Sequence, residues 1–272
     1  QEINTGEAGL PAWFQALNRD FPEWRVYVSL QLSGYEYLAG RSLSELIDRR
    51  RLKHHDALHL GVSIRSYRSE KVADFVRTLL EGETEVCARL YNEIRSTYPI
   101  VVTRSSRRAR DWLTKRARGS ERYGLLASSG AARLRPLGID VGAGVDVINW
   151  FLAPKDDVRS SYYLEAVASE FDVQGLELDW TGVVWDADLR YDEGDWQYLN
   201  FRGTAWQRVN DETRRQYLKN AYRVLLTRAR QGMIIVVPEG NPEDWTRQPH
   251  YYDGPFGYLI SIGIESTPGS VS

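Results

Sequence analysis

The sequence predicts an α/β fold on a largely parallel central sheet, with an extra helical segment at its N-terminal side. Three observations predict it. Short continuous apolar runs, such as Ile100-Val101-Val102 and Met233-Ile234-Ile235-Val236-Val237, have the pattern of strands buried on both faces. Longer stretches with apolar residues at helical spacing lie between them, and such alternation favours parallel pairing. The 272 residues, 42% hydrophobic and 26% charged, can build a core that needs neither disulfides nor metal.

Taken in order, strands are expected at the short runs 25–29, 60–64, 100–103, 124–128, 146–152, 164–169, 182–185 and 233–237, several of them continuously apolar. A helix is expected over 69–80, where a serine cap precedes a stripe of Val72, Phe75, Val76 and Leu79. A second, over 83–97, is stopped by Tyr98-Pro99, because the residue before a proline is pushed out of the helical region. Two more are expected over 106–118 and 211–228, the latter with Asp211 as N-cap and Tyr217, Ala221, Val224 and Leu225 as its apolar face. These elements divide the chain into a helical and linker segment at 1–98, an α/β domain at 99–264 and a flexible tail at 265–272, Gly/Ser-rich from Pro268.

Composition excludes several classes. No apolar run approaches the ~18 residues that a membrane span needs. Cys87 is the only cysteine, so neither a disulfide framework nor a multi-cysteine zinc site is available. His55 and His59 are spaced like a helical ligand pair, but the glutamate of the metalloprotease pattern is missing. With no glycosylation sequon and no signal-like start, the expected compartment is the cytoplasm.

The net charge of −2 hides an asymmetry. Residues 100–135 carry ten basic side chains against Asp111 and Glu121, whereas 165–212 carry twelve acids against three arginines. Only five of the 35 basic residues are lysine, and arginine's planar fork suits bidentate phosphate contacts. The basic block therefore offers Arg104, Arg107, Arg108, Trp112 and Lys115 as a nucleic-acid face, with Trp112 placed to stack on a base. Trp150, Trp185, Trp196 and Trp206 are weaker stacking candidates.

The end of the last predicted helix gathers Arg223, Arg228 and Arg230 within eight positions. An arginine held by a packed helix at a domain edge is one way to stabilise charge developing on a transferred phosphoryl. The run Asn220-Ala221-Tyr222-Arg223-Val224-Leu225-Leu226-Thr227-Arg228-Ala229-Arg230 resembles motif VI of superfamily 1 helicases. Upstream, the run from Ser169 to Asp179, with its core Gln174-Gly175-Leu176-Glu177, resembles motif V, and Ser66-Tyr67-Arg68-Ser69 is similar to motif IV. The opening residues, from Gln1 to Gly9, resemble the end of motif III. In detail, including Phe201-Arg202-Gly203-Thr204 and Asp244-Trp245-Thr246-Arg247, the chain most resembles the Schlafen group 3-like DNA/RNA helicase domain family, over residues 1 to about 264.

The resemblance implies a RecA-like domain, the second motor domain of a P-loop NTPase. It implies that Arg228 and Arg68 contact the γ-phosphate of ATP, that Glu177 lies near the ribose, that Gly175 lets backbone approach the ligand, and that Gln1 senses nucleotide state. The sequence has no Gly-x-x-x-x-Gly-Lys-Ser/Thr loop and no acidic pair where a magnesium-binding motif II would lie. ATP with Mg2+ is accordingly expected to sit mainly on a missing N-terminal RecA-like domain, this chain being the second half of a motor, cut just inside motif III and inactive alone. The expected partner is single-stranded DNA or RNA. Two other classes stay open: a non-catalytic nucleic-acid-binding module, and a metal-dependent nuclease-like hydrolase using Glu177, Asp179, Asp186 and Asp188. A chitinase-like reading of Gly-Leu-Glu-Leu-Asp-Trp fails because Thr181 stands where the general acid is needed.

Overall fold

Residues 9–29, 46–48, 50–55, 58 and 67–267 are described by the computed structural model, the side chains of 9–12 and 67–69 excepted. By contacts the chain divides into Gln1–Ser66 and Tyr67–Ser272. The predicted strand at 60–64, His59 and Gln1 lie outside the described residues.

In the first unit, α1 (Gly9–Asp20) shares a small core of Phe14, Val28, Leu46 and Ile47 with β1 (Val26–Val28) and β2 (Leu52–His54), which pair in parallel. Arg51 fastens this unit. Its guanidinium donates to the carbonyls of Leu17, Phe21 and Trp24 and to the Asn18 side chain, satisfying the orphan acceptors at the end of α1.

The second unit opens with α2 (Tyr67–Glu81) and α3 (Thr84–Ile94), then β3 (Ile100–Thr103), α4 (Ser106–Arg116), β4 (Tyr123–Ala127), α5 (Val147–Leu152), β5 (Val167–Ala168) and β6 (Leu178–Val184). It continues through β7 (Leu189–Asp192), β8 (Asp195–Arg202), β9 (Ala205–Arg208), α6 (Glu212–Leu226), β10 (Ala229–Val236), α7 (His250–Ser261) and β11 (Glu265–Ser266). Six strands form one sheet in the order β11-β3-β10-β6-β4-β5, and every neighbouring pair is parallel. This is the RecA-like α/β class that the sequence predicts.

The continuous apolar runs are explained by the pleat, since successive side chains leave a strand on opposite faces. Ile100, Val102, Leu126, Val183, Met233 and Ile235 join the α2, α3, α6 and α7 side of the core, while Leu125, Ala127, Val184, Ile234 and Val236 join Ala109 and Leu113 of α4 on the other. Connections diverge at the middle of the sheet. The chain leaves β3 by way of α4 toward β4, but leaves the adjacent β10 by way of α7 toward β11.

Four differences from the sequence-based expectations have physical reasons. Residues 146–152, read as a strand, are α5: Asp146 caps the helix by accepting from the amides of Ile148 and Asn149, and only Trp150 of the run is deeply buried. The division at 98/99 cuts through one core, because Val72, Phe75, Val76, Leu79, Tyr91 and Ile94 pack with the sheet. Glu265 and Ser266, expected in the tail, pair with β3. Residues 189–208 are an antiparallel meander, β7-β8-β9, whose first turn is Glu193-Gly194 with φ of 49° and 87°, the backbone of a type I′ hairpin turn. Among the described residues no helix is long and apolar enough to cross a membrane.

Candidate functional site

Motifs V and VI meet at the amino ends of β6 and β10. Helix α6 starts at Asp211, whose side chain accepts from the Arg214 amide at 2.8 Å, and buries Ala221, Tyr222, Leu225 and Leu226. It stops at Thr227, whose hydroxyl donates to the carbonyls of Arg223 and Val224. The next residue, Arg228, is 7% exposed and turns its guanidinium back along the helix end. Nε donates to the Val224 carbonyl at 3.1 Å and Nη1 to the Leu176 carbonyl at 3.2 Å. In return the Arg228 carbonyl accepts from the Leu178 amide at 2.9 Å. The arginine of motif VI is thus laced to the loop of motif V from both backbone and side chain.

That loop is shaped for close approach. Ser169 donates through its amide and hydroxyl to Asp172, tightening the turn after β5. Gly175 has φ +85° and nothing within 4 Å of the place a Cβ would take, so its backbone is open on that side. Glu177 is half-buried beside it. Asp179 is tied on three sides, accepting from the Arg122 amide at 2.7 Å, from Arg230 at 3.0 Å and from Gln231 at 3.3 Å. Of the other predicted nucleotide contacts, Arg68 is the second residue of α2, with its side chain outside the described residues.

The four carboxylates of the hydrolase reading do not converge, which corrects that expectation. Glu177 and Asp179 lie at the start of the seven-residue β6 and Asp186 and Asp188 beyond its end, a separation of roughly 20 Å at ~3.3 Å per residue. Asp186 accepts from the Tyr252 hydroxyl at 2.9 Å and from the amides of Ala187 and Arg133. Asp188 accepts from the Tyr222 hydroxyl at 2.6 Å. Both are buried, and burial pushes each carboxyl up to about 6, with Asp188 adding to the effect on Asp186 and Glu170 to that on Asp188. Glu170 is itself raised by burial, although Ser129 donates to both of its oxygens.

This cluster sets a pH dependence. A carboxyl whose pKa is raised on folding stabilises the fold below its unfolded value, near 3.8, and that contribution is lost as pH rises toward 6. Stability is therefore expected to fall between pH 5 and pH 7, and Asp188→Asn to remove about 1 kcal/mol of that fall. Urea melts at the two pH values check this; an unchanged difference in the variant would count against a neutral Asp188.

The basic block is α4 and its approach. Arg104 is committed internally: it donates to the Pro238 carbonyl at 2.9 Å and to Asp253 at 2.7 Å, and lies over the Phe256 ring at 4.0 Å. Arg107 and Lys115 are exposed and Arg108 is half-buried. Trp112 is half-buried, edge-to-face with Trp180 at 5.6 Å and with Arg116 over its ring. Of the weaker stacking candidates, Trp150, Trp185 and Trp196 are core residues at 1%, 0% and 4% exposure. Trp206 donates to the Thr246 carbonyl at 2.7 Å. Sequence reasoning missed the clamp that unites the later motifs: Arg133 donates to Thr246 and Asp244 and lies over Phe201. The Asp244-x-Thr246 spacing, in which both the Thr246 amide and hydroxyl donate to Asp244, is the signal that marks it.

The family model described as Schlafen group 3, DNA/RNA helicase domain matches residues 1–239. No curated protein and no solved structure matches the chain. Motifs V and VI, which carry the resemblance, are the segments joined by Arg228, and the chain belongs to the Schlafen group 3 DNA/RNA helicase domain family.

Proposed function

We propose that the chain is the C-terminal motor half of an ATP-dependent DNA/RNA helicase or translocase. The observation that carries the reading is the bond from Arg228 to the Leu176 carbonyl, which fixes a guanidinium beside the open backbone of Gly175. The Val224 and Leu176 carbonyls fix the direction of the group, and a guanidinium held in place is suited to meet charge that develops on a γ-phosphoryl. Arg68 would act on the same phosphoryl from motif IV, Glu177 would approach the ribose, and Gln1 would report nucleotide state. With no phosphate-cradling loop of its own, the chain would meet Mg2+-ATP held mainly by another RecA-like domain of the same protein, and would not hydrolyse it alone.

Single-stranded nucleic acid would run along α4, with Arg107 and Lys115 on phosphates, Arg108 and Trp112 beside them, and Arg104 bracing the helix start against α7. ATP turnover by the complete protein carrying Arg228→Ala tests the motor reading. The track is tested separately. The double variant Arg107→Glu, Lys115→Glu is expected to weaken binding of a twelve-nucleotide strand by more than tenfold at low salt. It should also flatten the dependence of log affinity on log salt by one to two. Unchanged affinity and slope, measured by fluorescence anisotropy, would remove these residues from the track.

A further inference from the structure

At the carboxyl ends of β3 and β10, where the connections diverge, lies a cavity of about 590 Å³. Open α/β sheets bind ligands in such crevices. The walls are the start of α4 (Ser105 to Arg108), the turn Pro238-Glu239-Gly240 after β10, Arg247, and Ser266 with Thr267. This is the opposite end of the strands from Arg228, so the cavity is separate from the motif V and VI junction.

Its chemistry is that of an anion site. Helix α4 has eleven residues, and the Ser106 and Arg107 amides in its first turn have no acceptor within the helix. Ser105 caps the Arg108 amide, and its own amide is taken by the Thr103 hydroxyl. A second, independent feature is Arg247. It is 6% exposed, lines the cavity and reaches the Tyr252 hydroxyl, yet its Nε is buried with no acceptor among the described residues. The Nε itself is closed off from the cavity, but no carboxylate forms an ion pair with Arg247 among the described residues, and a buried guanidinium without a counter-charge is costly unless an anion comes to its accessible end. Of the other lining charges, Arg104 is matched by Asp253, Arg107 is exposed, Arg108 is half-buried, and Glu239, the one acid, is exposed.

We propose that this cavity binds a phosphate group of a nucleotide unit, with the α4 amides and Arg247 as its inner ligands and Arg107 and Arg108 at its mouth. The inference rests on the nucleic-acid reading only for what carries the phosphate; the anion site itself does not depend on the motor. Two carriers share the chemistry, the backbone of a strand and a free nucleotide.

The test is calorimetric titration of the full chain with inorganic pyrophosphate at low chloride, for the parent and three variants. Arg247→Met keeps the bulk of the side chain without its charge and is expected to weaken binding at least tenfold. Arg107→Gln, at an exposed position that does not threaten the fold, is expected to weaken it about threefold. Arg214→Gln, exposed at the start of α6, should have no effect. Absence of pyrophosphate binding to the parent would overturn the proposal. So would equal affinities in Arg247→Met, Arg107→Gln and the parent, or an equal loss in Arg214→Gln, which would mark diffuse charge. Competition then names the carrier: displacement by a twelve-nucleotide thymidine strand places a backbone phosphate in the cavity, and displacement by AMP alone places a free nucleotide there. Loss of the motor reading through normal turnover in Arg228→Ala would leave these titrations unaffected.

Discussion

Replacing Arg228 by alanine in the complete ATP-binding protein is expected to lower ATP turnover by about three orders of magnitude, the scale of an arginine that stabilises phosphoryl-transfer charge. The substitution also removes donors from the Leu176 and Val224 carbonyls, which costs about 1–3 kcal/mol if water does not replace them. The two effects separate in Arg228→Lys. An ammonium keeps the charge and holds one carbonyl, so stability recovers, but it cannot present a fork to carbonyl and phosphate together. Turnover in the lysine variant is therefore expected to stay at least a hundredfold low while its melting temperature approaches the parent's. A loss in kcat with KM for ATP unchanged places the interaction in the transition state, whereas a rise in KM alone places it in the ground state. Parental turnover in Arg228→Ala would falsify the assignment.

The legible parts of this fold are those in which one local signal points the same way as the tertiary environment. The runs Ile100–Val102 and 233–237 are apolar at every position because both pleat faces meet core, and the periodicity alone identifies β3 and β10. Asp211 announces α6 because its side chain accepts from the amide three residues on. Residues 147–152 mislead because six residues, five of them apolar, are too few to show a helical period, and the deciding signal is the single cap Asp146. The meander at 189–208 is hidden by polar alternation around a two-residue Glu193-Gly194 turn. Helix α7 is hidden by Gly254, Pro255 and Gly257 within it, residues that ordinarily argue against a helix.

The candidate site divides the same way. Motif order brings Arg228, Gly175 and Glu177 to one end of β6, but the sequence alone cannot tell which end of a strand an acid occupies. Asp179 and Asp186 are seven positions apart in sequence and lie at opposite ends of β6. Arg247 is invisible for a related reason. It stands in a polar loop that reads as solvated, and only the packing of that loop buries its Nε.

Gly254→Ala is expected to destabilise the fold by about 3 kcal/mol or more, although alanine is intrinsically the better helix former by about 1 kcal/mol. A Cβ at this position would fall on the carbonyl of Tyr191 in β7, which is backbone and cannot swing aside as a flexible side chain can. Relief therefore requires α7 to move, and α7 is pinned elsewhere. Tyr258 stacks on Tyr191 at 4.0 Å, meets Trp196 edge-on at 5.5 Å and donates to the Leu79 carbonyl. The same helix supplies the Tyr252 hydroxyl to Asp186 and Asp253 to Arg104, so a displaced α7 would disturb the carboxylate pair and the brace of α4 together. Gly257, one turn on, has nothing within 4 Å of its Cβ position, and Gly257→Ala is expected to be neutral or stabilising by up to ~1 kcal/mol. Thermal melts should then place Gly254→Ala roughly 6–12 °C below the parent and Gly257→Ala at or above it. Equal melting temperatures for the two variants would mean that α7 does not dock on β7 through Gly254, and the constraint that ties the meander to the carboxyl edge of the sheet would have to come from the aromatic contacts alone.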